Sequence, residues 1–251
     1  RNFANKAWNA ARFVITSLAD EAVEPPQPGQ RQGMPLEDRW IMSRLHRLIG
    51  DVEKLLSAFQ VGEAGRQAHD FFWGEFCDWY IEMAKVRLKA GDPSPLPILA
   101  HVLDTSLRLL HPFMPFVTEA IWQNLRSHLR PPQAEALIVA PWPKANKRWQ
   151  DKEAEAQAQA VMDVVRAIRN IRAERGVEPV RYVEAYLVVD GMHEAAEASR
   201  LIIETLARVR PLHIVDGTGA APRERVITAV LRDVQVVVPL AGLFDLEAER
   251  A

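Results

Sequence analysis

Near Gly176 the hydrophobic period of this 251-residue chain changes, and no single class of fold accommodates both sides of the change. Before it, apolar residues recur every three or four positions, the spacing that puts a stripe on one face of a helix. After it, β-branched runs at residues 183–189, 213–215, 226–231 and 234–238 carry strand character. A helix over about 194–208 separates the first two runs, and Arg232-Asp233 forms a short turn between the last two. The chain is therefore expected to be mainly α, a helical bundle followed by a small α/β subdomain with a mixed sheet. The expected divisions are 1–148 for the bundle, 149–175 for a connecting helix, 176–242 for the subdomain and 243–251 for the start of a further helix.

Within the first part, periodicity places helix one over residues 2–18, with Phe3, Ala7, Trp8, Ala11, Val14, Ile15 and Leu18 on its apolar side. Residues 24–35 hold four prolines and two glycines and must form a loop. A second helix over 36–59 enters through Pro35 with acidic residues in its first turn, and a third covers about 62–89. Gly91-Asp92-Pro93 and His111-Pro112-Phe113-Met114-Pro115 interrupt the ladder and leave helical pieces over 96–110 and 116–125. After a proline-rich connector over 126–148, a helix over about 151–175 carries Val161, Val164, Ile168 and Ile171 on one face. Arg166, Arg169, Arg172 and Arg175 spread around its flank.

The stretch Phe72 to Lys85 packs five aromatics and four charges into one helix-length run. Phe72, Phe76, Trp79, Tyr80 and Met83 make an aromatic stripe, as any amphipathic helix could. Composition is that of a globular protein, 48% hydrophobic and 25% charged. No apolar run approaches the ~20 residues that span a bilayer, and the expected location is cytoplasmic. The single Cys77 excludes an internal disulfide and a Cys-x-x-Cys zinc site, and reads as a small buried hydrophobe. Seven scattered histidines give no metal spacing, and the chain lacks a phosphate loop and a dinucleotide fingerprint. Glu75, Asp78 and Glu82 read as solvated charges rather than an acid/base pair. No catalytic residue, metal ligand or cofactor is expected in this sequence.

Four segments together carry a family resemblance. Arg-Asn-Phe-Ala-Asn-Lys-Ala-Trp-Asn-Ala-Ala-Arg-Phe at 1–13, the aromatic run at 72–85, Leu-His-Pro-Phe-Met-Pro-Phe-Val-Thr-Glu-Ala-Ile-Trp at 110–122 and the Ile-Arg-x-Ile-Arg-x-Glu pattern ending at Glu174 resemble class I aminoacyl-tRNA synthetases for branched aliphatic amino acids. The first segment and Pro-Leu-Ala-Gly-Leu-Phe-Asp-Leu-Glu at 239–247 are most similar to the valyl-tRNA synthetases. The resemblance implies the anticodon-binding helical bundle of class Ia synthetases, a following α/β subdomain and, from 243 on, a coiled-coil arm. It also implies a parent ligase using ATP and Mg. The signature motifs of such a catalytic domain, of the His-Ile-Gly-His and Lys-Met-Ser-Lys-Ser types, do not occur here, so a catalytically inactive fragment is expected.

What such a bundle binds is a tRNA anticodon loop, here of a valine isoacceptor, read at its second and third anticodon positions. RNA recognition needs cations for phosphate, flat rings for unstacked bases and amides for base edges. Net charge is −2, so any basic surface must be local. Helix one, which has Arg1, Lys6 and Arg12 and no acid before Leu18, supplies such a patch. The resemblance points to Lys6, Arg12 and Phe13 as RNA-binding residues, then Asn2, Asn9 and Trp73. Arg166, Arg169 and Arg172 are further candidates, for the RNA backbone or for internal pairing. A monomer without membrane contact is expected. The equivalent region of isoleucyl-tRNA synthetase, or a helical protein-interaction module without RNA function, are the alternatives.

Overall fold

The computed structural model describes residues 2–19, 21–217 and 221–240. The chain divides into two compact units, Arg1–Lys152 and Glu153–Ala251. The first contains α1 (Asn2–Leu18), α2 (Leu36–Ser57), α3 (Val61–Asp70), α4 (Ile81–Lys89), α5 (Leu96–Leu110) and α6 (Pro115–Leu125). The second contains α7 (Lys152–Glu174, its first residue excepted), α8 (His193–Ala198), α9 (Arg200–Ala207) and four strands. The helix expected to connect two domains is thus part of the second unit. The physical reason is visible at Arg172, whose guanidinium donates to backbone carbonyls just before each of the sheet's first two strands, Arg181 and Arg208. The C-terminal helix expected from 243, with most of the 239–247 motif, lies outside the described residues.

In the first unit the apolar stripes face inward as the periodicity requires, and α2 and α5 supply Trp40, Ile41, Leu45, Ile49, Leu99, Leu103 and Leu107 to the core. The long helix expected over 62–89 is continuous but not uniformly α. Phe71–Tyr80 forms a π-helix between α3 and α4, in which the Ile81 N–H donates to the Phe76 carbonyl five residues back. The helix expected over 36–59 is shorter: α2 stops at Ser57, and Phe59, expected as its last residue, is 91% exposed in a left-handed conformation (φ 58°). The acidic residues expected in the first turn of α2, Glu37 and Asp38, are there, but they are buried. The Arg87 guanidinium donates to Glu37 at 3.0 Å and Asp38 at 2.7 Å, and the Tyr80 hydroxyl donates to Asp38 at 2.8 Å. Burial pushes both carboxyls above their ordinary values against the pull of Arg87. At the proline break, Asp104 accepts from Arg108 and from the Trp122 indole, which fixes α6 to α5.

In the second unit, Gly176 (φ 62°) ends α7, and β1 (Val183–Val189), β2 (Val209–Asp216), β3 (Val226–Val230) and β4 (Val234–Pro239) form one sheet in the order β2-β1-β4-β3. Strands β1 and β2 are parallel, joined through α8 and α9, whereas β4 is antiparallel to both β1 and β3. The crossover expected as one helix opens at Ser199 (ψ 4°), a residue type that favours helix ends. Strand β2 begins four residues before the expected 213. It contains Pro211, which an edge strand tolerates because one side of its ladder has no partner.

Candidate nucleic-acid interface

Helix α1 buries Ala7, Ala10, Ala11, Val14 and Leu18 and leaves Asn2, Asn9 and Arg12 exposed. Four small or branched residues at i, i+3, i+4 and i+7 let the helix lie close to the bundle, so the polar residues between them are presented outward. Trp8, placed by periodicity on the apolar side, is 45% exposed. With Ala11, Arg12, Ile15, Ile121 and Asn124 it lines a shallow cleft of about 130 Å³.

The candidate RNA residues form a strip along α1 and the π-helix. At one end Phe3 stacks on His69, ring centroids 4.6 Å apart, and His69 and Trp73 stack at 5.9 Å. Lys6 sits above Trp73, its Nζ 3.8 Å from the ring centroid, and also pairs with Asp78 at 2.6 Å. One turn on, the Arg12 guanidinium donates to the Asn9 side-chain oxygen at 3.4 Å. Phe13 is half-buried, and Lys85 Nζ lies 5.1 Å from its ring centroid while pairing with Glu82 at 2.6 Å. Lys6, Trp73, Asn9, Arg12 and Phe13 therefore occupy one surface, with Asn2 exposed near its end. Arg1 lies outside the described residues.

Both flat rings carry a lysine over them, and both lysines are held by partly exposed carboxylates. Exposed ion pairs of this kind contribute about 0–1 kcal/mol, and an exposed cation–π contact about 0.5–1 kcal/mol. A base stacking on an aromatic ring gains about 1–3 kcal/mol. The contacts that cover the two rings are thus weaker than, or comparable with, the stacking of a base on such a ring. Cys77, on the buried side of the same helix, has its thiol pushed up to about 12 by burial and plays no part in such a surface.

The three arginines of α7 separate by depth. Arg166 pairs with Asp163 at 2.9 Å on the surface. Arg169 is exposed and donates from Nε to the Leu206 carbonyl at 2.9 Å. Arg172 is buried and donates to the carbonyls of Arg181 (2.6 Å), Glu178 (3.0 Å), Arg208 (3.1 Å) and Pro179 (3.4 Å). That occupancy corrects its candidacy for RNA: all of its donor capacity at these atoms is spent on backbone groups at the base of the sheet. Sequence reasoning missed Phe3, His69, Lys85 and Asp78 as members of the strip. Among the described residues no group of three or more His, Cys, Asp or Glu could hold a metal ion. No helix among them is long and apolar enough to cross a membrane.

Residues 38–186 match the family model described as the anticodon-binding domain of tRNA ligase. The chain is 48% identical over 253 residues to a valine–tRNA ligase of Dehalococcoides mccartyi, covering 99% of this chain and 28% of that protein. It is 43% identical over 256 residues to the valine–tRNA ligase of Thermosynechococcus vestitus, covering 99% and 27%. With that of Geobacillus stearothermophilus it shares 37% identity over 255 residues, covering 99% and 28%. The chain thus spans little more than a quarter of the curated relatives it matches. Since the family model covers more than half of the chain and includes the π-helix and the broken helix, the chain belongs to the anticodon-binding domain family of tRNA ligases.

Proposed function

We propose that this chain recognises the anticodon and positions tRNA as part of a valine–tRNA ligase, with α1 and the π-helix as the RNA face. The observation that carries the reading is the strip itself. Two accessible aromatic rings, each covered by a displaceable lysine, lie beside the exposed amides Asn2 and Asn9 and the guanidinium of Arg12. These are the parts that unstacked bases require. The name valine–tRNA ligase carried by its relatives supports a valine isoacceptor as the tRNA of this reading, and the reading takes the chain to act in the cytoplasm as a monomer. The residues present do not fit an ATP and Mg site, since the sequence has neither a His-Ile-Gly-His nor a Lys-Met-Ser-Lys-Ser type motif and no group of three or more His, Cys, Asp or Glu among the described residues could hold a metal ion. ATP-dependent ligation is accordingly assigned to the remainder of such a ligase.

The test is binding of a valine anticodon stem-loop to the parent chain and to Phe13→Ala, with thermal unfolding measured in parallel because Phe13 is half-buried. Loss of a base platform weakens binding by about 1–3 kcal/mol at unchanged folding. Substituting the second and third anticodon bases should weaken the parent's binding similarly. A folded variant that binds as the parent does, together with indifference to those bases, would refute the assignment.

A further inference from the structure

The second unit carries a cationic and aromatic surface outside the α1 strip. Val183 and Val209 are register partners at the start of β1 and β2, and both are buried. Between these partners and the next pair, Ala185 and Leu212, the register shifts, so Arg210 sits in an irregular step of β2 and is exposed, as Tyr182 is just before β1. Tyr182 is 43% exposed, and the guanidinium carbons of Arg208 and Arg210 lie 5.9 and 5.4 Å from its ring centroid. Both arginines are exposed, and among the described residues neither pairs with a carboxylate. On α7 and α9 the arginines that reach solvent are tied to neighbours, Arg166 to Asp163, Arg200 to Glu197 and Arg169 to the Leu206 carbonyl. Other exposed arginines of the unit, such as Arg225 and Arg232, have no ion pair among the described residues either, but what sets Arg208 and Arg210 apart is that they share one ring.

The backbone beneath this pair of guanidiniums is fixed. Buried Arg172 donates to the carbonyls of both Arg181 and Arg208, and the Val183 N–H donates to the Arg208 carbonyl at 3.1 Å. Arg208 takes a left-handed conformation (φ 53°) where α9 turns into β2. Two like charges are thus brought to one ring, and among the described residues neither has an ion pair with a carboxylate; an anion would complete the arrangement. Guanidinium forks suit the paired oxygens of a phosphate, and the partly exposed Tyr182 ring offers stacking to a base.

We propose that Tyr182, Arg208 and Arg210 form a second RNA-contacting platform that grips the ribose-phosphate backbone of the tRNA without reading its sequence. The proposal rests on the assignment of tRNA as the ligand of this chain. It differs from that assignment in what it predicts: a contact governed by charge, on the second unit, independent of anticodon identity.

The experiment titrates the whole chain with a full-length valine tRNA transcript between 50 and 200 mM salt, comparing the parent with Arg208→Asn/Arg210→Gln. Asparagine is chosen because it tolerates the left-handed conformation. Each lost phosphate contact lowers the salt slope by about one. Over this fourfold salt range the parent should therefore lose roughly sixteen-fold more affinity than the double variant. The variant should still discriminate anticodon bases. Arg232→Gln, on the β3–β4 turn of the same unit, serves as the charge control and should leave the slope within one unit of the parent. An unchanged slope in the double variant, or an equal fall in the control, would overturn the platform. Should the double variant fail to fold, ultraviolet cross-linking of tRNA to the unaltered chain decides: adducts on the peptides holding Tyr182 or Arg210 support it, and their absence defeats it. Anticodon indifference with the salt effect intact would sink the α1 reading and leave the platform standing.

Discussion

Arg172→Met removes the guanidinium of α7 while keeping most of the aliphatic stem, and it separates an architectural role from an RNA-binding one. In the parent, four carbonyls accept from this side chain at 2.6 to 3.4 Å. Leaving a buried acceptor unpaired costs about 1–3 kcal/mol. The four costs do not simply add, because the 3.4 Å bond is weak and the variant no longer has to bury a charge. That second point has independent support, since burial and then the nearby Arg208 depress the guanidinium's affinity for its proton. A net loss of about 3 kcal/mol in the second unit is expected. All seven tryptophans lie between Trp8 and Trp149, within the first unit, so their fluorescence follows that unit alone. Amide exchange across β1 and β2 follows the other. In guanidinium titrations the tryptophan transition should stay in place while protection of Val183 and its neighbours falls by about two orders of magnitude. Arg172→Lys should recover less than half, because a single ammonium cannot reach four carbonyls. If protection were unchanged and tRNA affinity fell instead, Arg172 would be an RNA residue and the architectural account would be wrong.

Two further outcomes follow from the first unit. His46 is buried beside Trp149, with rings 6.0 Å apart and 2° from parallel, and burial with the nearby His101 lowers its pKa from 6.5 to about 4. The unfolded chain then binds the proton more tightly, so stability is complete above pH 6.5 and declines as pH falls toward 4. One such group accounts for about 3 kcal/mol over that window. In urea titrations at pH 7 and 4.5 the parent should therefore lose more stability than His46→Gln, and equal losses would contradict the reading. Gly65→Ala would normally favour a helix interior by about 1 kcal/mol, but an added Cβ here would sit 2.9 Å from two atoms of the Phe113 ring. The melting temperature should fall, by an amount equivalent to about 1–3 kcal/mol, and a rise would show that the ring moves freely.

Much of the fold is written in the periodicity. Helix α1 and strand β1 run over the expected residues, and α5 ends at the expected proline turn, because in each the apolar spacing and the breaker agree. Depth is less legible. Arg166, Arg169 and Arg172 share one helical flank in sequence, yet they end as a surface ion pair, a carbonyl contact and a buried hub. The difference lies in partners more than thirty residues away for Arg169 and Arg172, at Leu206 and Arg208, which helical spacing does not encode. The same holds for Glu37 and Asp38, where an acidic first turn suits solvent as well as it suits the guanidinium of a residue fifty positions on.

The strip along α1 and the π-helix was partly legible for a more local reason. Buried residues of the aromatic run fall at Phe71, Phe76, Ile81 and Val86, and again at Phe72 and Cys77, so the interval of five runs beside the expected three and four. Residues five apart on an α-helix differ by about 140° in direction, at 100° per residue. On the wider π turn they come close to alignment. Trp73 and Asp78 are such a pair, and this is why one ammonium, that of Lys6, can rest 3.8 Å from the ring centroid and 2.6 Å from the carboxylate at once. A regular α-helix over the same residues would turn Asp78 away and leave Lys6 with a ring or a carboxylate, not both. The π-helix thereby determines how the Trp73 ring is covered, and under the proposed function a weak, exposed ion pair is what would leave that cover free to be exchanged for RNA.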